Sequence, residues 1–214
     1  MNAPRHIDRT RDALLVIDVQ NDFCPGGALA VADGDAVVAP ANALMRRFGA
    51  VVLTQDWHPP GHESFASAHS GRAPFETMTL AYGEQTLWPD HCVQGTPGAE
   101  FHASLDTVPA QLVIRKGFRR AIDSYSAFFE NDRSTSTGLA GYLRERGFTR
   151  VFLCGLATDY CVAYSAIDAR RLGFETIVLL DACRAIDLDG SLDAALAEMA
   201  EAGVALGAGA DLRD

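Results

Sequence analysis

Side chains that can hold a metal ion are concentrated in the segment QDWHPPGHESF, which directly follows an apolar run. Asp56 and His58 stand two residues apart, so on an extended segment they point to the same side and can share one ion. A third ligand is needed, and His91 in LWPDHCVQGTPG is the first choice. The alternatives for this third ligand are His62, Glu63 and Ser64, the last two through a water molecule. A carboxylate with two imidazoles leaves coordination positions open, which is typical of a catalytic or substrate-binding metal.

A second group of residues can form a cysteine nucleophile with its base. In GLATDYCV, Cys161 falls within the first turn of a predicted helix if Thr158 or Asp159 is the N-terminal cap. Backbone N–H groups and the helix dipole there favour a thiolate and can hold an oxyanion. A cysteine nucleophile needs a base for its proton and a cation that favours its charged form. Asp18 and Lys116, each at the end of an apolar run, supply these two functions.

The candidate residues follow apolar segments that are typical of buried strands. The predicted strands are residues 13–20, 50–55, 111–116, 151–155, 176–183 and 204–207, and the predicted helices between them are residues 33–48, 134–147, 159–172 and 191–203. Near-continuous apolar strands alternating with helices predict an α/β fold, with three α/β/α layers around a central, mostly parallel sheet of Rossmann-like topology. Ligands of such sheets bind beyond the carboxyl ends of the strands. We therefore expect Asp18, Asp56, Lys116 and the loop leading to Cys161 at one edge of the sheet.

The segment between the second and third predicted strands, residues 56–109, has little periodicity and is rich in Pro, Gly, His and Ser. Connections of this length in a compact domain usually carry function or small elements of their own. We expect one or both here. The chain shows no internal repeat, low-complexity segment or linker, so we predict one domain over residues 1–214.

Composition restricts the class of protein. The 214 residues carry a formal charge of -10, and 48% are hydrophobic and 21% charged, which is ordinary for a globular protein. A nucleic-acid-binding protein would be basic, so we expect no nucleic-acid partner. No apolar run approaches the roughly 18–20 residues that span a bilayer, so we expect no membrane partner. The first residues lack the apolar segment of a signal peptide, and the five cysteines show no CxxC spacing. This pattern favours free thiols in a cytoplasmic protein.

Several segments resemble the isochorismatase-like cysteine hydrolases, in order and over nearly the whole chain. They are ALLVIDVQNDFCPGGALAV (13–31), TQDWHPPGHESFAS (54–67), LWPDHCVQGTPGAEFH (87–102), RKGF with DSYSAFF (115–129) and CGLATDYCVAYSAIDA (154–169). Isochorismatases and several related amidases lack the metal motif, so its presence here indicates the branch of the family that hydrolyses nicotinamide. The resemblance therefore implies conversion of nicotinamide to nicotinate and ammonia through a thioester, in NAD salvage. Pyrazinamide is a second candidate substrate.

The resemblance also implies a role for particular residues. The implied catalytic triad is Asp18, Lys116 and Cys161, and the implied metal ligands are Asp56, His58 and His91. The implied oxyanion hole consists of the backbone N–H groups of Ala157 and Cys161, next to a cis peptide between Leu156 and Ala157. The implied pocket around a flat ring is formed by Phe23, Trp88 and Tyr125.

Two other functions remain open from the residues themselves. One is an amidohydrolase of the same family that acts on a carbamoyl or ureido substrate, which should not need a pyridine-binding metal. The other is a non-catalytic metal-binding or ligand-binding module with an incidental cysteine. The ion itself is a divalent metal, and carboxylate with imidazole suits Zn, Mn or Fe. The oligomeric state is open, with a homo-oligomer as one candidate.

Overall fold

The computed structural model describes residues 5–213 and has a six-stranded parallel sheet at its centre. The strands are, in chain order, β1 (Arg5–His6), β2 (Asp12–Ile17), β3 (Val51–Asp56), β4 (Thr77–Leu80), β5 (Gly83–Thr86), β6 (Leu112–Lys116), β7 (Arg150–Leu156), β8 (Glu175–Arg184), β9 (Ala205–Gly207) and β10 (Leu212–Arg213). The helices are α1 (Val38–Met45), α2 (Leu139–Glu145), α3 (Ala163–Arg171) and α4 (Ser191–Glu201). The central sheet has the order β6-β3-β2-β7-β8-β9.

The inner strands of this sheet are buried on both faces. Every residue of β2 and β3 is buried, as is all of β7 after its first residue, which matches their apolar sequences. The edge strand β6 instead alternates between more and less exposed side chains. Parallel strands with both faces covered read as continuous apolar runs, and this is the pattern that the sequence shows. The predicted α/β fold with a central parallel sheet and flanking helices is confirmed.

All four predicted helices are longer than the observed ones, and the first, predicted over 33–48, begins with a 3-10 turn before α1. The predicted helix over 134–147 is limited to α2, because the side chain of Asp132 forms a turn before it. Its carboxylate accepts hydrogen bonds from the backbone N–H groups of Ser134 (2.9 Å) and Thr135 (2.8 Å). Such local side-chain bonds compete with helix formation. The predicted helix over 159–172 begins instead with a π turn, Thr158–Val162, before α3.

The long aperiodic segment forms small elements, as expected. It contains 3-10 turns at Ala66–Ala68 and Pro97–Ala99, and the antiparallel hairpin of β4 and β5, which pairs only with itself among residues 5–213. Isolated bridges join His58 to Val93 and Phe65 to Trp88. These bridges hold distant parts of the segment together beside the carboxyl end of β3.

The backbones of β2 and β7 leave no room for a side chain at Gly155. Its φ is +118°, in the region that favours glycine, and a Cβ atom built there would lie 2.1 Å from the carbonyl oxygen of Ile17. The residue after Ile17 is Asp18, which has a φ of +46°. A glycine is therefore needed where the carboxyl ends of the two central strands meet.

No helix between residues 5 and 213 combines the length and the apolar character that crossing a membrane requires.

Candidate active site

The structure brings the predicted nucleophile, base and cation together at the carboxyl edge of the sheet. Asp18 follows β2, Lys116 ends β6, and Cys161 lies in the π turn after β7. Their relative exposures are 0%, 1% and 6%, so all three are screened from bulk water. One carboxylate oxygen each of Asp18 and Asp56 and the Sγ atom of Cys161 lie within 4.8 Å of one another. The predicted convergence of these residues is therefore present.

Lys116 is the centre of this group. Its Nζ atom donates to the Oδ1 atom of Asp56, to the carbonyl oxygen of Ser124 (3.0 Å) and to the Sγ atom of Cys161 (3.6 Å). It also lies 2.8 Å from the Oδ2 atom of Asp18. Burial disfavours the ammonium, but the two carboxylates outweigh it and raise the pKa of Lys116 well above its ordinary value. Lys116 is thus a fixed positive charge beside the sulfur.

Asp18 is placed to accept a proton. Its Oδ1 atom accepts a hydrogen bond of 2.5 Å from the hydroxyl of Thr54, whereas its Oδ2 atom accepts no aligned hydrogen bond although the Lys116 ammonium is close. Burial, with a smaller effect from the charge of Asp56, raises the pKa of Asp18 to about 6, while Lys116 opposes this change. A carboxylate with an unused oxygen and a pKa near neutrality is suited to general base catalysis.

The surroundings of Cys161 differ from the expectation in two respects. The cap of its turn is Ala157, with extended dihedrals, and not Thr158 or Asp159. The carboxylate of Asp159 instead accepts bonds from a neighbouring loop, including the N–H of Asp187 at 2.8 Å. Burial also raises the pKa of the Cys161 thiol well above its ordinary value, against the opposing effect of Lys116. The free thiolate expected from the sequence is therefore replaced by a neutral thiol whose proton must be removed during attack.

The backbone before Cys161 has the geometry that the family resemblance implied. The peptide between Leu156 and Ala157 is cis, and both Ala157 and Cys161 line the same cavity. The N–H groups of these two residues are the candidates for the oxyanion hole.

Asp56, His58 and His91 form a buried group beside this cavity, as expected of three metal ligands. The Nε2 atoms of His58 and His91 lie 3.7 and 3.8 Å from the Oδ2 atom of Asp56. Ions such as Zn bind nitrogen and oxygen ligands at about 2.0–2.2 Å, so one ion between these three atoms can reach all of them. Because Oδ1 of Asp56 contacts Lys116, this one carboxylate joins the ligand group to the nucleophile group.

The hydrogen bonds of both imidazoles fit metal binding. The Nδ1 atom of His58 lies 3.0 Å from the carbonyl oxygen of Gly117, and that of His91 lies 2.8 Å from the carbonyl oxygen of Pro89. Since a carbonyl only accepts, each Nδ1 carries the proton and each Nε2 is free to bind an ion. Burial and the neighbouring His58 lower the pKa of His91 to about 4, which favours its neutral, ligating form.

Gly117 is required for this arrangement. Its φ is +60°, and a Cβ atom built on it would lie 2.3 Å from the Cε1 atom of His58. The ring of His58 therefore packs directly against the backbone of Gly117, where any other residue would place a side chain.

The alternative third ligands are directed elsewhere. The Nε2 atom of His62 donates to the carbonyl oxygen of Arg119 (2.9 Å), and its Nδ1 atom accepts from the hydroxyl of Ser64 (2.7 Å). Both ring nitrogens are thus engaged, although His62 lies close to His58 and Asp123. The geometry favours His91 over His62 and Ser64, and no contact places Glu63 in the group.

A small cavity opens between the two groups of residues, and Asp56, His91 and Cys161 all contribute to its lining. The predicted pocket residues Phe23, Trp88 and Tyr125 all line it, and the ring centroids of Phe23 and His91 are 5.5 Å apart. The structure adds four lining residues that sequence reasoning missed: Leu29, Asp123, Tyr160 and Ile186.

The missed residues left weak signals in the sequence. Tyr160 directly precedes Cys161, and Asp123 begins the DSYSAFF segment, but neither shows a spacing that indicates a pocket. Thr54 also escaped notice, although it stands two residues before Asp56 on the same strand and so shares its side of β3. That alternation is a signal that could have found it.

Comparison with protein families and curated proteins gives consistent matches. A model described as the isochorismatase domain matches residues 12–211. A nicotinamidase of Acinetobacter baylyi is 59% identical over 192 residues, which cover 90% of this chain and 90% of that protein. A nicotinamidase of Escherichia coli is 45% identical over 199 residues, covering 91% of this chain and 93% of that protein.

Solved structures agree with these matches. A nicotinamidase and pyrazinamidase of Acinetobacter baumannii is 55% identical with a TM-score of 0.93, covering 94% of this chain and 98% of that chain. A protein of L. infantum in complex with nicotinate is 43% identical with a TM-score of 0.85, covering 97% of each chain. A pyrazinamidase of Pyrococcus horikoshii in complex with zinc is 38% identical with a TM-score of 0.75, covering 92% of this chain and 99% of that chain.

Proposed function

Since this chain belongs to the isochorismatase domain family, we propose that it hydrolyses nicotinamide to nicotinate and ammonia through a thioester on Cys161. Relatives of high identity that carry this activity in their names support the substrate, and pyrazinamide is a second substrate on the same grounds. The enzyme then acts in NAD salvage. The family match over residues 12–211 supports the prediction of one domain for the whole chain.

One observation carries most of the argument. The sulfur of Cys161 lines a small cavity and lies beside the ammonium of Lys116 and the carboxylate of Asp18, and a group of three potential metal ligands stands next to it. A nucleophile, its base and its electrostatic partner are the parts that covalent amide hydrolysis requires. A binding module has no need for a base whose pKa is raised to about 6 beside a buried thiol.

The first chemical step begins with a neutral thiol. Asp18 accepts the thiol proton on its Oδ2 atom as the sulfur of Cys161 attacks the carboxamide carbon. Lys116 remains charged and stabilises the sulfur while its proton leaves. Because all three groups are buried, their interactions are not weakened by bulk water.

The second part of the reaction returns the proton. The N–H groups of Ala157 and Cys161 hold the developing oxyanion, and a single donor of this kind is worth about 2.7–4 kcal/mol in comparable sites. Asp18 then passes its proton to the leaving ammonia, and the thioester forms. In deacylation Asp18 removes a proton from water, and the hydroxide attacks the thioester carbon. The C–S bond then breaks, Asp18 returns the proton to the sulfur of Cys161, and the acid leaves and ionises to nicotinate.

The pocket selects a flat ring. Phe23, Trp88 and Tyr125 would contact the faces and edges of this ring, because aromatic side chains pack favourably against a small aromatic ligand. Asp56, His58 and His91 would hold one divalent metal ion, which the free Nε2 atoms of both imidazoles support. When bound, that ion supplies a Lewis acid for the ring nitrogen. Zn, Mn and Fe all suit this set of ligands, and zinc is present in one solved relative.

The test measures ammonia released from nicotinamide, pyrazinamide and a panel of carbamoyl and ureido compounds, before and after chelation of the metal. We expect release from the two aromatic amides and its loss on chelation. Release only from carbamoyl or ureido compounds, unchanged by chelation, would instead identify another amidohydrolase of the family. A protein that binds metal but releases no ammonia from any compound would be a binding module.

A pair of cysteine variants tests the nucleophile in the same assay. Cys161→Ala should abolish ammonia release while nicotinamide still binds, as measured by calorimetry. Cys154→Ala is the matched control, because Cys154 is buried within β7, and its turnover should stay near that of the wild type. Substantial turnover in Cys161→Ala would remove this residue from its role.

A further inference from the structure

The hairpin of β4 and β5 reaches the pocket through one buried side chain, that of Gln85. We propose that Gln85 is a positioning residue, which holds the aromatic wall of the pocket through the hydroxyl of Tyr125. The inference rests on the proposed function, because the wall is assigned to the ring of an aromatic amide. It adds a residue that contacts neither the nucleophile group nor the three potential metal ligands.

Gln85 is the centre of a buried hydrogen-bond network, with a relative exposure of 1%. Its Nε2 atom lies within hydrogen-bond distance of three acceptors, which are the hydroxyl of Tyr125 (2.8 Å), the Oδ2 atom of Asp123 (2.9 Å) and the carbonyl oxygen of Thr86 (2.7 Å). Its Oε1 atom accepts from the hydroxyl of Tyr82 (3.1 Å) and from the Nδ2 atom of Asn131 (3.2 Å). The amide of Gln85 therefore has a partner for each of its polar atoms.

The orientation of this amide follows from its partners. Turning it by 180° would place its oxygen against the carboxylate of Asp123 and the carbonyl of Thr86, which only accept hydrogen bonds. The donor side of Gln85 therefore faces the pocket. Of its acceptors there, Asp123 and Tyr125 both line the cavity.

The hydroxyl of Tyr125 links Gln85 to a second wall residue. It accepts one hydrogen bond from Gln85 and another from the indole N–H of Trp88 at 3.0 Å. The rings of Trp88 and Tyr125 stand nearly perpendicular, with centroids 6.3 Å apart. Two adjoining walls of the pocket are thus fixed through one oxygen atom, and Gln85 supplies one of its two donors.

The position of Gln85 in the fold supports a dedicated role. Within β4 and β5 it is the one fully buried residue, whereas the preceding Gly83 and Glu84 are exposed. A short hairpin that pairs only with itself does not need a buried amide for its own stability, and a buried polar group costs free energy unless it is satisfied. Two of the residues that satisfy Gln85, Asp123 and Tyr125, line the pocket, so we connect the network to ligand binding.

This role predicts a particular kinetic signature. Loss of the Gln85 donor lets the Trp88 and Tyr125 rings reorient, which weakens contact with the substrate ring equally in the ground state and the transition state. Uniform weakening of this kind raises KM and leaves kcat unchanged. The groups that make and break bonds are unchanged, because none of the hydrogen bonds of Gln85 within residues 5–213 involves Cys161.

The experiment compares Gln85→Met with Glu84→Met, which places the same new side chain on the exposed neighbouring residue. For nicotinamide we expect KM to rise about tenfold in Gln85→Met, the effect of losing one buried hydrogen bond, with kcat within about twofold. Glu84→Met should change neither constant. A fall in kcat at unchanged KM, or no change in either constant, would overturn the proposal.

A second variant keeps the test decisive if Gln85→Met does not fold. Tyr125→Phe removes the shared hydroxyl and should raise KM to a similar extent, again at nearly constant kcat. In the double variant the KM increases of the two single variants should not multiply, because Gln85 acts through that hydroxyl. A KM in the double variant equal to the product of both increases, or an unchanged KM in Tyr125→Phe, would contradict the role of Gln85. If the wild-type protein releases no ammonia from nicotinamide, the proposed function is refuted. If the wild type is active but the KM of both variants equals that of the wild type, only this inference is refuted.

Discussion

The two ends of strand β2 carry the same kind of residue for opposite purposes. Asp12 begins the strand and Asp18 follows its last residue, and both have a relative exposure of 0%. Each faces a cation from another strand of the sheet, which is Arg150 at the amino edge and Lys116 at the carboxyl edge. The difference between the two ion pairs lies in how completely each carboxylate is satisfied.

At the amino edge the pair is complete. Arg150 donates to both oxygens of Asp12, from Nε to Oδ1 at 2.8 Å and from Nη2 to Oδ2 at 2.5 Å. The backbone N–H of Asp8 adds a further bond of 2.7 Å. A bidentate pair with no unused oxygen fixes geometry and offers no site for a proton or a ligand.

At the carboxyl edge the pair is incomplete. Lys116 is shared between Asp18 and Asp56, and the Oδ2 atom of Asp18 accepts no aligned bond. Burial then raises the pKa of Asp18 to about 6, which leaves a carboxylate ready to accept a proton. The comparison teaches that a buried ion pair supports the fold when satisfied and becomes reactive when one oxygen is left unused.

The largest expected effect that tests this comparison is on turnover. Asp18→Asn removes the base but keeps the size of the side chain, so we expect kcat/KM for nicotinamide to fall by about two to four orders of magnitude. Urea unfolding should show a smaller loss of stability than Asp12→Asn causes, because Lys116 keeps its second carboxylate partner, Asp56. Turnover within tenfold of the wild type would show that Asp18 is not the base.

Asp12→Asn is the matched change at the other end of β2, and its expected effect is on stability. It leaves Arg150 without its bidentate partner, and breaking a buried pair costs about 3–5 kcal/mol. We expect the lower part of this range, because the Arg150 side chain is 14% exposed and water can reach it. Urea unfolding measures this loss, and turnover of the folded protein should remain. If Asp12→Asn instead lost turnover and kept its stability, the structural role proposed for Asp12 would be wrong.

A third and smaller expected effect, on metal affinity, distinguishes the carboxyl edge of the sheet from its amino edge. Gly117→Ala places a methyl group against the ring of His58, and disturbing a ligand's immediate support costs about 10–100-fold in metal affinity. Competition with a chromophoric chelator measures it. The control is Gly49→Ala at the amino edge, where the new Cβ atom would lie 2.7 Å from the carbonyl oxygen of Arg9. That variant should lose stability but not metal affinity, and equal losses of affinity would contradict the division between the edges.

The sequence predicts the site best where strands supply its residues. Asp18, Asp56 and Lys116 were placed at one edge because each ends an apolar run, and parallel strands align their carboxyl ends. The position of Cys161 in a helical turn favours a thiolate, whereas burial raises the pKa of its thiol, because burial depends on packing that local spacing does not reveal. Gln85 was not identified, because it lies in the aperiodic segment, where only tertiary contacts fix which side chains face inward.

The close approach at Gly155 has a consequence for how this chain can diverge. The proposed base, Asp18, directly follows Ile17, and the turn that carries the proposed nucleophile, Cys161, follows β7, so the backbone contact between Ile17 and Gly155 helps to fix their spacing. Lining residues without an assigned role in the chemistry, such as Leu29 and Ile186, are therefore free to change, and ligand preference can drift while the reacting atoms keep their spacing. An added methyl group at position 155 would separate the two strands, and no change in the cavity lining could restore them.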